Sequence, residues 1–299
     1  MREYMKKRLL PMFGVALCVA SIAASPASAA TEPGVERITM SPTSSDYSVD
    51  AGKTINDKLT IINDGAVAYD FLVYARPYSV SSEAYEPNFT ATPKNADLYA
   101  WVQFAQTKYH LEPGASTKIN YTIRVPEGAA PGGHYGVIFV ETQPSGQAAT
   151  GSVLRKKRVG SIIYATVNGS YKNEGTANEV DIPFWQVQPP LHVSMKAKNT
   201  GNTDFIDTTR VVVKDVFGRV KHDATKDYVV LPQTTRKINS DWTGASWFGL
   251  YKVDVEQKVL GKTTASSGYV LMMPRYLPVA LIVILLIGGL YAAYHRKKR

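Results

Sequence analysis

The chain has 299 residues, of which 44% are hydrophobic and 20% charged, and its formal net charge is +9. This length allows about two domains of ordinary size, and the composition excludes a disordered chain. The positive charge is concentrated in short terminal segments, so residues 30–274 are close to neutral. A nucleic-acid-binding protein carries its basic residues on the folded part. The charge distribution therefore excludes nucleic acid as a partner.

Residues 1–29 have the organisation of a secretory signal peptide. A basic segment at 2–8 precedes an apolar stretch at 9–24, and small residues occupy Ala27 and Ala29. This pattern predicts cleavage after Ala29, with an uncleaved anchor as the alternative. The only cysteine, Cys18, lies inside the apolar stretch. The mature chain is therefore expected to have no disulfide and no cysteine-based metal site.

Residues 30–274 are predicted to form an all-β structure. Strand-like runs alternate with turn signals about every 8–15 residues, as in a β-sandwich. Three landmarks occur twice in the same order: an Asn-x-Gly turn at 63–65 and 199–201, a proline turn at Pro113 and Pro232, and Gly-x-Tyr-x-Val at 133–137 and 249–253. Such a repeat predicts two tandem sandwiches, at 30–171 and 172–274.

The landmarks suggest local roles for their residues. The Asn-x-Gly turns are expected to reverse the chain through residues that tolerate a positive φ. Tyr135 and Tyr251 resemble the tyrosine corner of immunoglobulin-like sandwiches, where a buried ring bonds the nearby backbone through its hydroxyl. Both tyrosines are therefore predicted to stabilise the fold rather than to contact a ligand.

The first copy carries an apparent insertion at about 76–98, rich in Tyr, Pro and Ser. The strand that begins at Tyr135 is apolar on both faces, whereas the strand that begins at Tyr251 alternates with charged residues. Something must cover the second apolar face of the first strand. Either the insertion folds over it, or a partner protein or glycan does.

Two further segments are candidates for binding. A basic segment, 155–158, is predicted either to protect a strand edge by its charge or to contact an anionic wall polymer. Sugars stack on exposed aromatic rings, so Tyr78, Tyr85 and Trp101 in or beside the insertion are candidate carbohydrate-binding residues. For Trp101 a position in the core is the alternative.

No catalytic or metal-binding motif is present in the sequence. The five histidines lack zinc-ligand spacing, and neither a nucleophile elbow nor a phosphate-binding glycine loop occurs. An enzyme is therefore not expected, and neither is a cofactor.

Residues 275–294 are predicted to form a transmembrane helix. The stretch is almost purely apolar, has tyrosines near both ends and is followed by a basic tail at 295–299. Positive charge remains on the cytoplasmic side. We therefore expect a single-pass cell-membrane protein with its N-terminal part outside and its C-terminal tail in the cytoplasm.

This organisation resembles that of the WxL-interacting proteins of Gram-positive bacterial surfaces. The resembling segments are 41–43, 60–63, 111–114, 125–126 and 131–136 in the first copy, and 199–202, 216–218 and 230–232 in the second. The resemblance implies two immunoglobulin-like domains, the first binding peptidoglycan and the second binding surface proteins. A second resemblance, to two-sandwich pilus chaperones, implies a membrane-tethered assembly chaperone as the alternative function.

Overall fold

The structure is a computed structural model that describes residues 36–143 and 156–297. The predicted signal peptide lies outside the described residues. The described residues belong to one compact unit. This part is built of β-strands and ends in a single apolar helix, which confirms the predicted all-β class.

The described residues form nineteen β-strands, one 3₁₀ turn and one α-helix. They are β1 (Thr39–Ser41), β2 (Ser44–Val49), β3 (Thr54–Ile62), β4 (Tyr69–Pro77), β5 (Ser79–Val80), β6 (Pro87–Asn88), a 3₁₀ turn (Leu98–Trp101), β7 (Val102–Phe104), β8 (Lys108–Leu111), β9 (Ser116–Arg124), β10 (Gly132–Gln143), β11 (Arg158–Val167), β12 (Gly175–Asp181), β13 (Trp185–Gln186), β14 (Leu191–Asn199), β15 (Phe205–Asp215), β16 (Val220–Val230), β17 (Thr235–Trp242), β18 (Gly249–Val259), β19 (Lys262–Met272) and α1 (Tyr276–Lys297).

These strands form two sandwiches. In the first, a sheet of order β1-β3-β9-β7 faces a sheet of order β2-β11-β10-β4-β8. In the second, a sheet of order β12-β14-β17 faces a sheet of order β13-β19-β18-β15-β16. The predicted division at 171/172 falls between β11 and β12. Whether the two sandwiches are independent domains stays a prediction, because they belong to one compact unit.

Each sandwich has its own apolar core. Alternate residues of facing strands point inward. In the first sandwich they include Leu59, Ile119 and Ile138, and in the second Val193 and Val253, all of them fully buried. Removal of this apolar surface from water is the main driving force for both cores.

The outer face of β10 is covered from within the chain. Val137 and Phe139 point away from the first core and pack against the β5–β6 hairpin (79–88), which we call the insertion hairpin, and against the second sandwich. The ring of Phe139 meets that of Phe89 edge to face, with 4.9 Å between centroids. The structure therefore confirms the prediction that the insertion covers this apolar face.

The Asn-x-Gly landmarks have a different cause from the one the sequence suggested. Neither Asn63 nor Asn199 has a positive φ. Instead each side chain is buried and donates to two backbone carbonyls while accepting from the glycine amide two residues later, Gly65 or Gly201. The repeated residue is asparagine because one amide group satisfies three buried backbone groups.

Replacing Asn199 with alanine should therefore destabilise the protein by about 2–4 kcal/mol, because it leaves buried backbone groups without partners. Asn168→Ala is the matched control, since Asn168 also makes two side-chain hydrogen bonds but is exposed. Chemical denaturation of both variants measures the difference. Equal losses in the two variants would contradict the role assigned to Asn199.

Candidate functional site

The two sandwiches are joined by a hydrogen bond near the start of β10. The Tyr135 hydroxyl donates to Asp204 Oδ1 at 2.8 Å and accepts from the Asp204 amide at 3.1 Å. The Tyr251 hydroxyl, in contrast, accepts from the nearby Ser246 amide at 3.2 Å. The tyrosine-corner prediction is therefore confirmed for Tyr251. For Tyr135 it is correct about burial and wrong about the partner, which belongs to the second sandwich.

The insertion hairpin adds a second set of contacts between the sandwiches. The Tyr85 hydroxyl accepts from the Leu231 amide at 2.7 Å, and the Lys237 amide donates to the Glu83 carbonyl at 2.7 Å. The Arg236 guanidinium lies 4.4 Å from the centre of the Tyr85 ring. The hairpin thus fills the outer face of the first sandwich and also holds the second.

The three aromatic residues predicted to bind carbohydrate are not brought together on a surface. Trp101 is buried in the first core beside His134, with 4.6 Å between ring centroids, so the alternative prediction of a core position is confirmed. Tyr85 has its hydroxyl and its ring face occupied, as described above. Tyr78 is buried against Tyr164, although it also lines a cleft. A carbohydrate-binding role for these rings stays a prediction.

The cleft lined by Tyr78, which we call the junction cleft, has a volume of about 520 Å³. Its walls come from the insertion and from the β16–β17 turn, with Val80, Leu231 and Pro232 as apolar contributors. Lys94 supplies the only formal charge among its lining residues. An apolar wall with one cation suits a ligand that carries a single acidic group.

A second cavity, of about 700 Å³, lies on the other side of the insertion hairpin and is called the arginine groove. Arg76 and Arg158 line it together with Phe89 and Tyr99. The Arg158 guanidinium lies 4.4 Å from the centre of the Phe139 ring. Within the described residues neither arginine has an ion-pair partner. The Arg158 guanidinium also interacts with the Tyr74 hydroxyl. Two guanidinium groups beside aromatic rings favour an anionic ligand.

The basic segment predicted at 155–158 contributes only Arg158 to this groove. Arg155 lies outside the described residues. Lys156 pairs with Glu141 at 3.2 Å, and Lys157 donates to the backbone carbonyl of Glu36. The segment is therefore partly neutralised within the first sandwich.

A third cavity, of about 450 Å³, is acidic and lies at the junction beside Tyr135. Asp46 and Asp204 line it. Burial raises the pKa of Asp204, and the hydrogen bond from Tyr135 opposes this shift only in part. Burial also raises the pKa of Asp46. Ionisation of Asp204 is therefore less favourable in the folded protein than in the unfolded chain.

The second sandwich presents a long unpaired sheet edge. β16 is the last strand of its sheet, and no described strand pairs with its outer side over eleven residues. Arg236 caps one carbonyl, that of Val229, at the junction end. Exposed charged residues along the edge, such as Lys221 and Lys226, are typical of strands protected against uncontrolled pairing.

The described clefts have the character of binding surfaces. No group of three metal-ligating side chains occurs within residues 36–143 and 156–297. The junction cleft and the arginine groove are lined mainly by apolar, amide and basic groups, and the third cavity carries two carboxyl groups. What the arrangement can do is hold an extended or anionic partner.

No family model matches the chain, and no curated protein matches it. Among solved structures, the class 5 fimbrial chaperone CfaA is 12% identical, with 79% of this chain and 99% of that chain covered and a TM-score of 0.40. The Salmonella enterica SafB chaperone–SafA pilin complex gives 10% identity, 79% and 97% coverage and a TM-score of 0.41. A PapD-like domain of human CEP192 is 18% identical, with 54% of this chain and 99% of that chain covered and a TM-score of 0.32.

The raised pKa of Asp204 predicts a pH-dependent stability. The unfolded chain ionises this carboxyl near its ordinary value of 3.8, whereas the folded protein does so at a higher pH. Between those two values the folded state binds more protons, so its stability falls as the pH rises. Asp204→Asn keeps an oxygen that accepts from Tyr135 but removes the charge.

Wild type should therefore lose thermal stability relative to Asp204→Asn as the pH increases from about 4 to 7. Midpoints of thermal unfolding for the two proteins across this range measure the effect. A difference that is constant with pH, or that favours the wild type increasingly at high pH, would contradict the assignment.

Proposed function

We propose that this chain is a non-catalytic surface protein, tethered to the cell membrane, that binds an extended segment of another surface protein along β16. The observation that supports this proposal is the unpaired edge of β16, the longest free edge among the described sheets. A free edge pairs with an added strand through main-chain hydrogen bonds, and flanking side chains select the sequence.

The side chains around this edge suit such selection. On the outer side Asp223 pairs with Arg210 and Asp227 accepts from Thr208, while Tyr228 and His222 are half-buried on the inner side. The His222 ring stacks on that of Trp242, with 6.1 Å between centroids. A partner strand would thus find an apolar inner side and a charged outer side, the pattern of an amphipathic strand.

The tether is α1, which is long and apolar enough to cross a membrane. Its 22 residues span about 33 Å at a rise of 1.5 Å per residue. The basic residues His295, Arg296 and Lys297 occupy its last turn. By the positive-inside rule we place this end in the cytoplasm and both sandwiches outside.

The partner is proposed as a subunit of a surface structure in the course of assembly, which makes this chain a membrane-tethered assembly chaperone. The solved SafB chaperone compared above is described in complex with a pilin subunit, SafA. The proposal for this chain rests on its own sheet edge, and it applies equally to a resident surface protein as the partner.

A second candidate function is the binding of a cell-wall polymer, and the arginine groove favours it. Peptidoglycan and other wall polymers carry acidic groups, and this groove presents two guanidinium groups without ion-pair partners in the described part of the chain. The sugar rings of such a polymer would meet Phe89 and Tyr99 at the groove wall.

Strand addition at β16 predicts a position-specific cross-link in living cells. A photo-reactive amino acid at Thr225, which is exposed on β16, should capture one discrete partner band. The matched control is Thr176, exposed on β12 at the opposite edge of the same sandwich. Absence of cross-links at 225, or equal capture at both positions, would contradict edge binding.

Wall binding predicts a salt-sensitive interaction at the arginine groove. Detergent-solubilised protein should sediment with purified cell walls at 0.1 M salt and much less at 1 M, where the Debye length falls from about 10 Å to about 3 Å. The variant Arg76→Gln with Arg158→Gln should lose most of this binding.

The matched control changes Lys58 and Lys118 to glutamine, which removes the same charge from the opposite sheet. This control should sediment like the wild type. Equal loss in both double variants would indicate a diffuse charge effect, and no sedimentation of the wild type would remove this second candidate function.

A further inference from the structure

One end of the second sandwich carries most of the exposed apolar side chains of the described ectodomain. Outside α1, twelve large hydrophobic residues are exposed among those that the structure describes, and all but Tyr171, Ile206 and Leu260 lie at this end. We call it the aromatic end. Its members are Phe184, Trp185, Val216, Phe217, Val220, Trp247, Phe248, Leu250 and Tyr269. Soluble surfaces rarely keep so many large apolar groups together, so this end is expected to have a partner.

The strand register shows that these residues share one end. Gly249 pairs with Met272 and Trp185 with Leu271, so the loop before β18 and the short strand β13 both meet the end of β19. Asp215 pairs with Tyr251, which adds the β15–β16 turn. The opposite end of the sandwich contacts the first sandwich through Asp204 and Leu231 and is not available.

The membrane helix begins at this same end. β19 finishes at Met272 and α1 starts at Tyr276. Met273 is still held to the sandwich, because its amide donates to the Gln186 carbonyl at 2.9 Å and its carbonyl accepts from Trp185 Nε1 at 2.7 Å. Three linking residues reach at most about 10 Å. If α1 crosses a bilayer, the aromatic end must therefore lie at the headgroup layer of that bilayer.

The chemistry of this end matches that location. Aromatic side chains such as Trp and Tyr prefer the membrane–water interface, because their ring is apolar and their polar group stays hydrated. Arg275 is exposed at the start of the helix, and the Arg219 guanidinium lies 5.6 Å from the Phe217 ring centre. Asp215, the acidic residue of the turn, accepts from two backbone amides and pairs with Lys221. Its charge is therefore balanced, and the exposed arginines favour lipid phosphates.

We propose that the aromatic end inserts Phe217, Trp247 and Phe248 into the headgroup region of the leaflet that α1 enters. This contact would hold the second sandwich against the membrane and point the first sandwich outward. The inference rests on the membrane-spanning role proposed for α1, and it adds a lipid-binding surface on the folded ectodomain.

Spin labels on the full-length protein test this proposal. Cys18, the only native cysteine, is changed to serine, and single cysteines are introduced as Phe248→Cys, Leu260→Cys and Ile284→Cys. Position 260 is the matched control, because it is an exposed apolar residue just beyond the far end of β18. Ten residues of strand separate the two ends of β18 by about 34 Å. The protein is reconstituted into vesicles of phosphatidylcholine with one quarter phosphatidylglycerol.

Accessibility to a water-soluble relaxation agent and to oxygen gives the depth of each label. The label at 284 should lie in the hydrocarbon core, that at 260 in water, and that at 248 at the interface, with its aqueous accessibility less than half of that at 260. A label at 248 as hydrated as that at 260, with 284 in lipid, would overturn the inference and leave the anchor intact. Hydration at 284 would overturn the anchor and the inference together.

A second copy of this chain is the competing occupant of the aromatic end. In that case labels at 248 would be shielded from both agents and would broaden each other's spectra as the protein-to-lipid ratio rises. That result would also overturn the proposal. Replacing Phe217 and Trp247 with serine provides a further check, since both side chains are exposed and the fold does not depend on them. In this variant the label at 248 should become as accessible to water as the label at 260.

Discussion

The two apolar faces of β10 are the constraint on which the rest of the molecule depends. One face, with Ile138, lies in the first core, and the other, with Val137 and Phe139, needs cover of its own. A strand buried on both faces requires a third layer. The insertion hairpin and the β16–β17 turn supply this layer, and so a local property of one strand joins the two sandwiches into a single unit.

This arrangement gives the two ends of the second sandwich different roles. At the junction end its polar groups are satisfied by the first sandwich, as in the bond between Tyr135 and Asp204. At the other end its aromatic residues remain exposed beside the start of α1. The lateral edge along β16, the longest unpaired edge of the described sheets, is left free for a partner strand. The proposed function and the proposed membrane contact therefore use separate surfaces of one sandwich.

The sequence predicted those features that depend on neighbouring residues. Strand alternation revealed the two-faced β10, and the apolar run before the basic tail revealed α1. The sequence could not reveal the hydrogen-bond partner of Tyr135, because Asp204 is 69 residues away and reaches Tyr135 only through tertiary packing. The role of Asn199 was misassigned for a related reason. Its turn was visible, but the carbonyl of Val230 that it bonds was not. Arg76 and Arg158 are likewise far apart in the sequence and line one groove only in the folded protein.

The central claim is that the covered face of β10 fixes the two sandwiches relative to each other. Spin labels at Lys118 in the first sandwich and Lys262 in the second, both exposed, allow their separation to be measured by pulsed dipolar spectroscopy on the full-length protein. The account predicts one narrow distance distribution that widens when Phe139 and Tyr135 are replaced by serine. A broad or multimodal distribution in the unmodified protein would show that the sandwiches move independently and would contradict the account.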